Sequence, residues 1–524
     1  MSITVSPATS AAVDQAVFPG DSFAASADDS FVGVESWLAT TDHHRLGRIH
    51  LATTLLLGTV SAVLFGFIAH RIDRAARGVL GTGVWLGGDP AKAFSFGRIL
   101  PAAQMGLLVV VVAPMFVALA SIVIPRQIGA SRLAFPRMHA FVVWSYLMGA
   151  ALFVVSFLVA DGPPVVNVLD DTRFLANGAQ ANKATDMLIA ALGLIAVSTL
   201  LGAVNIFTSV LTHRRAGLSL DLVRPFTWAS FVTSAMAILT TPVYLVGLLL
   251  LYVDQHFGGT FASTAGSEVV WSHMIRLSTR PDMYLLLIPV LGLVGEIIVS
   301  RTGKALLGGP VAAYLVGLAG AFSLFAWMGG ATAGNSFIQP TSRWTTSLIV
   351  IPVALLVLVW LGSLAGGLKP DVSLLGAVGV PLLLVLAAVN VLVAGARGLS
   401  ADQGVFWNIG QIVLLGVGVP VLAGVAGLAE LSPVAFGRTI PKPLAGLATL
   451  AALGGAALTV LGFAGLANRN DLTKAAPALS AVVLLGALLL AGALALTLLG
   501  LLGASRSGGS TNAAHLLPFS EETN

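Results

Sequence analysis

The stretch TDMLIAALGLIAVSTLLGAVNIFTSVL, residues 185–211, indicates the class of the whole chain. After Asp186 it contains no charged residue, and its Leu, Ile, Val, Ala and Gly would make a helix apolar on every side. An uncharged apolar run of about 18 residues or more is long enough to cross the hydrocarbon core of a bilayer as an α-helix. We therefore predict a transmembrane helix at this position.

The same pattern recurs along the 524 residues, of which 56% are hydrophobic and only 10% charged. The mean hydropathy is +0.93, whereas a soluble domain carries about 25% charged residues. We predict an all-α integral membrane protein with about twelve transmembrane helices. The predicted spans are 48–70, 99–123, 138–160, 186–211, 227–252, 270–299, 306–328, 345–366, 373–395, 404–428, 444–467 and 477–503.

The chain ends suggest the domain organisation and the topology. Residues 1–35 and 504–524 are small and polar, so we predict a disordered cytoplasmic tail, a transmembrane domain over 36–503 and a polar C-terminal tail. An even number of spans puts both termini on one side, and the Lys and Arg bias of the loops favours the cytoplasm. The bases form no basic run, so we expect the lipid bilayer rather than nucleic acid as a partner.

The last four predicted spans are rich in Ala, Gly and Leu, as in VLLGALLLAGALALTLLGLLG (483–503). Small residues allow helix backbones to approach closely in a membrane. We therefore interpret these spans as packing elements and assign them no chemistry.

Three stretches are more distinctive than ordinary membrane helix. They are SWLATTDHHRLGRIHLATTLLL (36–57), IVIPRQIGASRLAFPRMHAFVVW (122–144) and WSHMIRLSTRPDMYLLLIPVLGLVGEIIVSRTGK (271–304). With the fourth and fifth spans they resemble subunit I of the heme-copper oxidases, the cytochrome c oxidase type. The resemblance implies a twelve-helix subunit I fold, heme and copper cofactors, and other membrane subunits of a respiratory-type complex as partners.

The same resemblance implies six His ligands for two hemes and copper, because neutral imidazole is a strong ligand for both metals. The nine His residues are 43, 44, 50, 70, 139, 213, 256, 273 and 515, and none lies between 274 and 514. The family ligand positions correspond to Ala103 or Gln104, Arg280, Gly329, Gly330, Ile409 and Gln411. A lysine on the family's eighth-span proton path corresponds to Leu356. We therefore predict no bound heme or copper and no catalytic residue.

Polar side chains in the sixth span form a candidate intramembrane site. Its members are Arg276, Arg280, Asp282, Tyr284, Glu296 and His273. In one interpretation Arg280 fills part of the vacated metal pocket and pairs with a local carboxylate or with helix-end carbonyls. In the other, the site binds an anion or a quinone-like headgroup, or relays protons. His273 is either a hydrogen-bonded structural residue or a titrating switch.

Asp42 precedes the first predicted span in the sequence TTDHH. Asp is a preferred N-cap residue, so we predict that Asp42 caps the first helix, with Thr40 and Thr41 nearby. A proton-uptake role at the same place is the alternative hypothesis.

Three functions are compatible with the sequence. The first is a cofactor-less subunit I homologue that serves a respiratory-type membrane complex as a scaffold, assembly or proton-path subunit and is not catalytic alone. The second is an ion, proton or small-anion channel or transporter that uses the vacated cofactor cavity. The third is a terminal oxidase with unusual heme ligation, which the missing His ligands argue against.

Overall fold

A computed structural model describes residues 40–70, 106–159, 183–257, 284–330, 348–365, 371–397, 401–468, 472–503 and 505–506. In these ranges the chain is almost entirely helical and forms twelve long helices, which confirms the predicted all-α membrane architecture. The predicted tail at 1–35 and the part of the C-terminal tail after residue 506 lie outside the described residues.

The helices are numbered in the order in which they follow one another along the chain. They are α1 (His43–His70), α2 (π-helical Gly106–Val112, then Ala113–Ile128), α3 (Pro136–Ser156), α4 (Lys183–Thr212), α5 (Pro225–Phe257), α6 (Tyr284–Thr302), α7 (Gly309–Gly330), α8 (Val350–Leu364), α9 (Val372–Arg397), α10 (Ala401–Val413, π-helical Leu414–Gly418, then Val419–Phe436), α11 (Lys442–Ala467) and α12 (Leu472–Leu502). A 3-10 turn spans Leu220–Leu222, and β1 (Arg438–Thr439) pairs antiparallel with β2 (Ser505–Arg506).

Each predicted span overlaps one of these helices, and α2, α5 and α10 end five or more residues later than predicted. The ends of α2 and α10 have a common cause. We predicted ends at 123 and 428, whereas α2 ends at Ile128 and α10 at Phe436. Both helices continue through a proline in the last turns and stop at a glycine in the left-handed region, Gly129 with φ 76° and Gly437 with φ 63°. Glycine adopts this conformation without strain, so it is a common residue at the end of a helix.

Burial separates central helices from peripheral ones. Within the described ranges nine helices are long and apolar enough to span a membrane. In α2 and α10 the most apolar stretch is 83% buried, whereas in the other seven it is 39–44% buried. In α6, Val290, Leu293 and Val294 are completely buried. The bundle therefore has α2, α6 and α10 at its centre, and the helices around them have one face left for lipid.

The predicted cap of the first helix is confirmed. The Asp42 carboxylate accepts a hydrogen bond from the backbone N–H of His44 at 2.9 Å, and the Thr40 hydroxyl accepts one from the N–H of Asp42 at 3.2 Å. The cap satisfies a backbone donor that has no partner within the helix.

Glycines bring α11 and α12 into backbone contact. A Cβ atom on Gly486 would lie 2.4 Å from the Thr459 hydroxyl and 2.8 Å from the carbonyl oxygen of Gly455. A Cβ on Gly455 would in turn lie 2.7 Å from the Gly486 carbonyl. Here the small residues of the last spans do pack helices closely, as the composition predicted.

Gly486→Ala tests this contact. The new methyl group would overlap backbone atoms of α11, so we expect a loss of stability of about 1–3 kcal/mol from overpacking. The measurement is the thermal unfolding midpoint of the purified protein in detergent.

Gly492→Ala is the matched control on the same helix. Nothing lies within 4 Å of a Cβ atom built at Gly492, so this change removes a glycine without a clash. Equal unfolding midpoints for the two variants would contradict the close packing of α11 against α12.

Candidate functional site

The structure describes some of the predicted site residues. Arg276, Arg280, Asp282, His273, Ala103 and Gln104 lie outside the described residues. Tyr284 is the first residue of α6, and Gly329 and Gly330 are the last two of α7. Glu296 lies in α6, Ile409 and Gln411 in α10, and Leu356, buried to 1% exposure, in α8.

The described family ligand positions do not fit a heme. Gln411 is buried, and its side-chain amide donates a hydrogen bond to the Ala387 carbonyl of α9 at 3.1 Å. Ile409 and the two glycines at the end of α7 carry no side-chain group that binds iron or copper. Among the described residues there is also no group of three His, Cys, Asp or Glu placed to hold a metal ion.

Helices α2 and α10 are in direct contact at the centre of the bundle. Their π-helical segments, Gly106–Val112 and Leu414–Gly418, lie against each other. Farther along, a Cβ atom on Gly424 would lie only 2.5 Å from the terminal methyl carbon of Met115. Side chains and backbone of the two helices therefore fill the space between these segments.

Glu296 belongs to a buried polar cluster that joins three helices. We call Glu296, Arg224, Gln127 and Thr227 the Glu296 cluster. The carboxylate accepts hydrogen bonds from the Arg224 guanidinium at 2.7 Å, from the Gln127 amide at 2.9 Å and from the backbone N–H of Phe226 at 3.3 Å. The Thr227 hydroxyl donates to the Gln127 side-chain oxygen at 2.7 Å. Glu296 and Arg224 are at most 1% exposed, so the ion pair is fully removed from solvent.

A glycine one turn earlier in α6 allows Glu296 to reach this position. A Cβ atom on Gly292 would lie 2.3 Å from the Cβ of Ala229 and 3.0 Å from the carbonyl oxygen of Pro225. The close approach brings the Glu296 carboxylate to the first turn of α5, where unpaired N–H groups and the helix dipole stabilise an anion.

A second cluster lies at the same end of α6. We call Glu430, Arg301, Asp371, Ser300 and Ser373 the Glu430 cluster. Glu430 accepts hydrogen bonds from the Arg301 Nε at 2.7 Å, from the Ser373 hydroxyl at 2.6 Å and from the Ser300 hydroxyl. Arg301 also pairs with Asp371 at 2.6 Å. The cluster links the end of α6 to the start of α9 and the last turns of α10.

A partly open cavity of about 50 Å³ lies between α2, α4, α5 and α6. Apolar side chains form most of its wall, and Thr199, Thr241 and Tyr244 supply its polar groups. None of its lining residues is charged, so this cavity is not equipped to conduct ions.

The sequence identified Glu296 as an intramembrane charge but not its partners. It placed Arg224 and Arg301 in loops, and its tenth span ended before Glu430. The sequence did contain a clue to the role of Arg224. Arg224 directly precedes Pro225, the first residue of α5, and the start of a helix attracts anions. A cation at this position therefore indicates that an anionic partner lies nearby.

The fold and these clusters define a polytopic helical membrane protein whose buried charges join helix ends. The sequence model of the family described as "Cytochrome C and Quinol oxidase polypeptide I" matches residues 45–495, so the chain belongs to this family.

Similar proteins carry related names. The chain is 28% identical to a "Heme-copper oxidase subunit I+III" of Aeropyrum pernix, over 82% of this chain and 52% of that protein. It is 26% identical to a "Putative cytochrome c oxidase subunit 1-beta" of Streptomyces avermitilis, over 66% of this chain and 60% of that protein. The chain thus spans little more than half the length of these relatives. A solved heme-copper terminal oxidase dimer has the same fold, with a TM-score of 0.63 at 12% identity over 89% of this chain and 86% of that one.

A double-mutant cycle tests the buried ion pair. Removing one partner, in Glu296→Leu or Arg224→Leu, leaves the other charge buried alone and should cost about 3–5 kcal/mol. The double variant removes both charges, so we expect it to be more stable than either single variant. Thermal unfolding midpoints in detergent measure the effect, and losses that simply add would show that the two residues do not interact.

A second prediction concerns the Glu430 cluster. Glu430→Gln keeps the side-chain shape but weakens the charge-assisted hydrogen bonds, so we expect a loss of about 1.5–3 kcal/mol in a thermal unfolding assay. The control is Lys442→Gln. Lys442 is 81% exposed and approaches Asp371 only to 4.0 Å. Surface changes of this kind stay within about 0.5 kcal/mol, so equal effects would contradict a structural role for Glu430.

Proposed function

We propose that this chain is a non-catalytic subunit I homologue of a respiratory-type membrane complex. It would act as a scaffold, an assembly partner or a proton-path element, while another subunit carries the electron chemistry. The main observation behind the proposal is the identity of the residues at the positions of the family's metal ligands. No His occurs between residues 274 and 514, and the family ligand positions in that range hold Arg280, Gly329, Gly330, Ile409 and Gln411.

The chemistry of these residues supports the absence of hemes and copper. Arg280 is a permanent cation and repels a copper ion. Glycine and isoleucine offer no ligand atom, and the amide oxygen of Gln411 is a hard ligand that suits magnesium, calcium or manganese better than heme iron or copper.

Membership of the family supports the part of the proposal that places the chain in a respiratory-type membrane complex. The similar proteins from Aeropyrum pernix and Streptomyces avermitilis are named as oxidase subunits, which indicates work within larger assemblies. The described part of the chain has buried charge clusters that join helix ends and a glycine-packed helix pair. These features suit a rigid scaffold. We place both termini in the cytoplasm on the Lys and Arg bias of the predicted loops.

Absorption spectra and metal analysis test the proposal. The tagged chain is purified from its native membrane, once under mild conditions that preserve complexes and once after the chain has been separated from its partners. We expect the separated chain to show no Soret band and no stoichiometric copper. We expect the mild preparation to contain a partner that bears heme or copper.

A heme-bearing oxidase subunit I purified by the same two procedures is the control, because it shows that the separation step retains heme. A Soret band equivalent to one or two hemes per separated chain would overturn the proposal. Isolated chains that conduct ions or solutes in liposomes, and lose this activity in Arg280→Ala, would support a transporter instead.

A further inference from the structure

Two long side chains of α10 bridge this helix to α9. The Gln411 amide donates a hydrogen bond to the Ala387 carbonyl at 3.1 Å, and the Trp407 indole donates one to the Asn390 carbonyl at 3.3 Å. Ala387 and Asn390 are three residues apart, and Trp407 and Gln411 are four apart, so each pair lies on one face of its helix. We call Asn390, Gln411 and Trp407 the amide site.

Helices α9 and α10 are close together at one end and farther apart at the amide site. Near the start of α9, a Cβ atom on Gly376 would lie 2.3 Å from the Cβ of Ala426, and one on Gly379 would lie 3.0 Å from a methyl carbon of Leu422. At the amide site only the ends of long side chains reach from α10 to the backbone of α9. The π-helical segment Leu414–Gly418 lies between the two regions, and such segments frequently occur at functional sites.

The side-chain amides of the site are buried but incompletely paired. Asn390 is 8% exposed and Gln411 is 6% exposed. The Nδ2 donor of Asn390 and the Oε1 acceptor of Gln411 have no hydrogen-bond partner among the described residues. A buried amide atom without a partner is strongly unfavourable, so such an atom often marks the position of a bound molecule.

The two unpaired atoms belong to the same part of the gap between the helices. The Cα–Cβ bond of a helical residue is tilted toward the start of the helix, so the Asn390 side chain extends toward the turn that contains Ala387. The bond from Gln411 to the Ala387 carbonyl holds the second amide at this turn. Because the nitrogen of Gln411 faces the carbonyl, its oxygen faces away from it. A donor and an acceptor are therefore close together without being bonded to each other.

One hydroxyl group would complement both atoms, because its oxygen accepts a hydrogen bond and its hydrogen is donated in another. An anion or a ketone has no hydrogen for the Gln411 oxygen, and the N–H groups of Asn390 repel a cation. Residues 381–396 of α9 and 403–429 of α10 include no charged side chain. The site is therefore suited to a neutral group.

We propose that the amide site binds one neutral hydroxyl group, which accepts a hydrogen bond from Asn390 and donates one to Gln411. Internal water and the alcohol group of a membrane lipid both supply this chemistry. The bound hydroxyl joins α9 to α10 where their backbones diverge. The site uses no heme, copper or partner subunit, so it goes beyond the proposed function and can hold or fail independently of it.

Nuclear Overhauser transfer to the side-chain amide protons of Asn390 tests the site in the full chain. The chain carries isotope-labelled asparagine and is purified in lauryldimethylamine oxide, a detergent without hydroxyl groups. Dodecanol is added as the probe for a lipid alcohol. We expect transfer either from water or from the dodecanol protons next to the hydroxyl, and the source of the transfer identifies the occupant.

Asn205 is the reference within the same molecule. It is 1% exposed, and its amide both donates to the Phe135 carbonyl and accepts from the Phe135 N–H at 3.0 Å. Both sides of this amide are paired with backbone, so we expect no transfer to Asn205 from water or dodecanol.

A variant tests whether Gln411 holds the bound hydroxyl. Gln411→Met keeps the length of the side chain but removes the acceptor, so the occupant loses one hydrogen bond and should bind about tenfold more weakly. Transfer to Asn390 should fall accordingly. Ile409→Met is the control, because residue 409 points to the opposite side of α10 and should leave the transfer unchanged.

A second measurement needs no variant and applies if Gln411→Met does not fold. Dodecyl methyl ether has an acceptor oxygen but no hydroxyl hydrogen, so it cannot donate to Gln411. We expect it to give no transfer to Asn390 and to leave any transfer from water in place.

Three results would overturn the proposal. The first is the absence of transfer to Asn390 from both water and dodecanol, as at Asn205, which would show a dry gap. The second is unchanged transfer in folded Gln411→Met. The third is equal transfer from the ether and from dodecanol, which would show that the site does not recognise a hydroxyl group.

Discussion

The ion pair between Arg224 and Glu296 lies where neither charge can reach water, and the arrangement of the central helices depends on it. An isolated charge in a low-dielectric interior is strongly unfavourable, so the carboxylate requires the guanidinium, the Gln127 amide and the first turn of α5 together. Gly292 makes this possible by letting α5 approach α6 closely. Satisfying one buried charge thus fixes the relative positions of α2, α5 and α6 at one end of the bundle.

The same end of the bundle contains most of the described buried polar chemistry. The Glu430 cluster joins α6 to α9 and α10, and the buried rings of His50 and Tyr146 meet between α1 and α3. The two charge clusters have hydrogen bonds at each carboxylate, which suits a structural role. His50 differs, because neither of its ring nitrogens has a hydrogen-bond partner among the described residues.

Membership of the oxidase family is compatible with the proposed loss of its metal ligands, because the fold depends on other residues. In this chain apolar helices, close glycine contacts and paired charges hold the bundle together. Metal binding needs a few imidazoles at set positions, and these can change without affecting the packing of the helices.

The sequence by itself determined the membrane class, the twelve helices, the Asp42 cap and the close packing of the last spans, because hydropathy, capping and residue size act over neighbouring residues. It also determined which ligand types are missing. Only the tertiary structure showed that Glu296 pairs with Arg224, 72 residues away, that Glu430 collects Arg301 and two serines, and that His50 meets Tyr146. The partner of a buried polar group depends on which helices are neighbours and how they are rotated, and local sequence patterns do not contain that information.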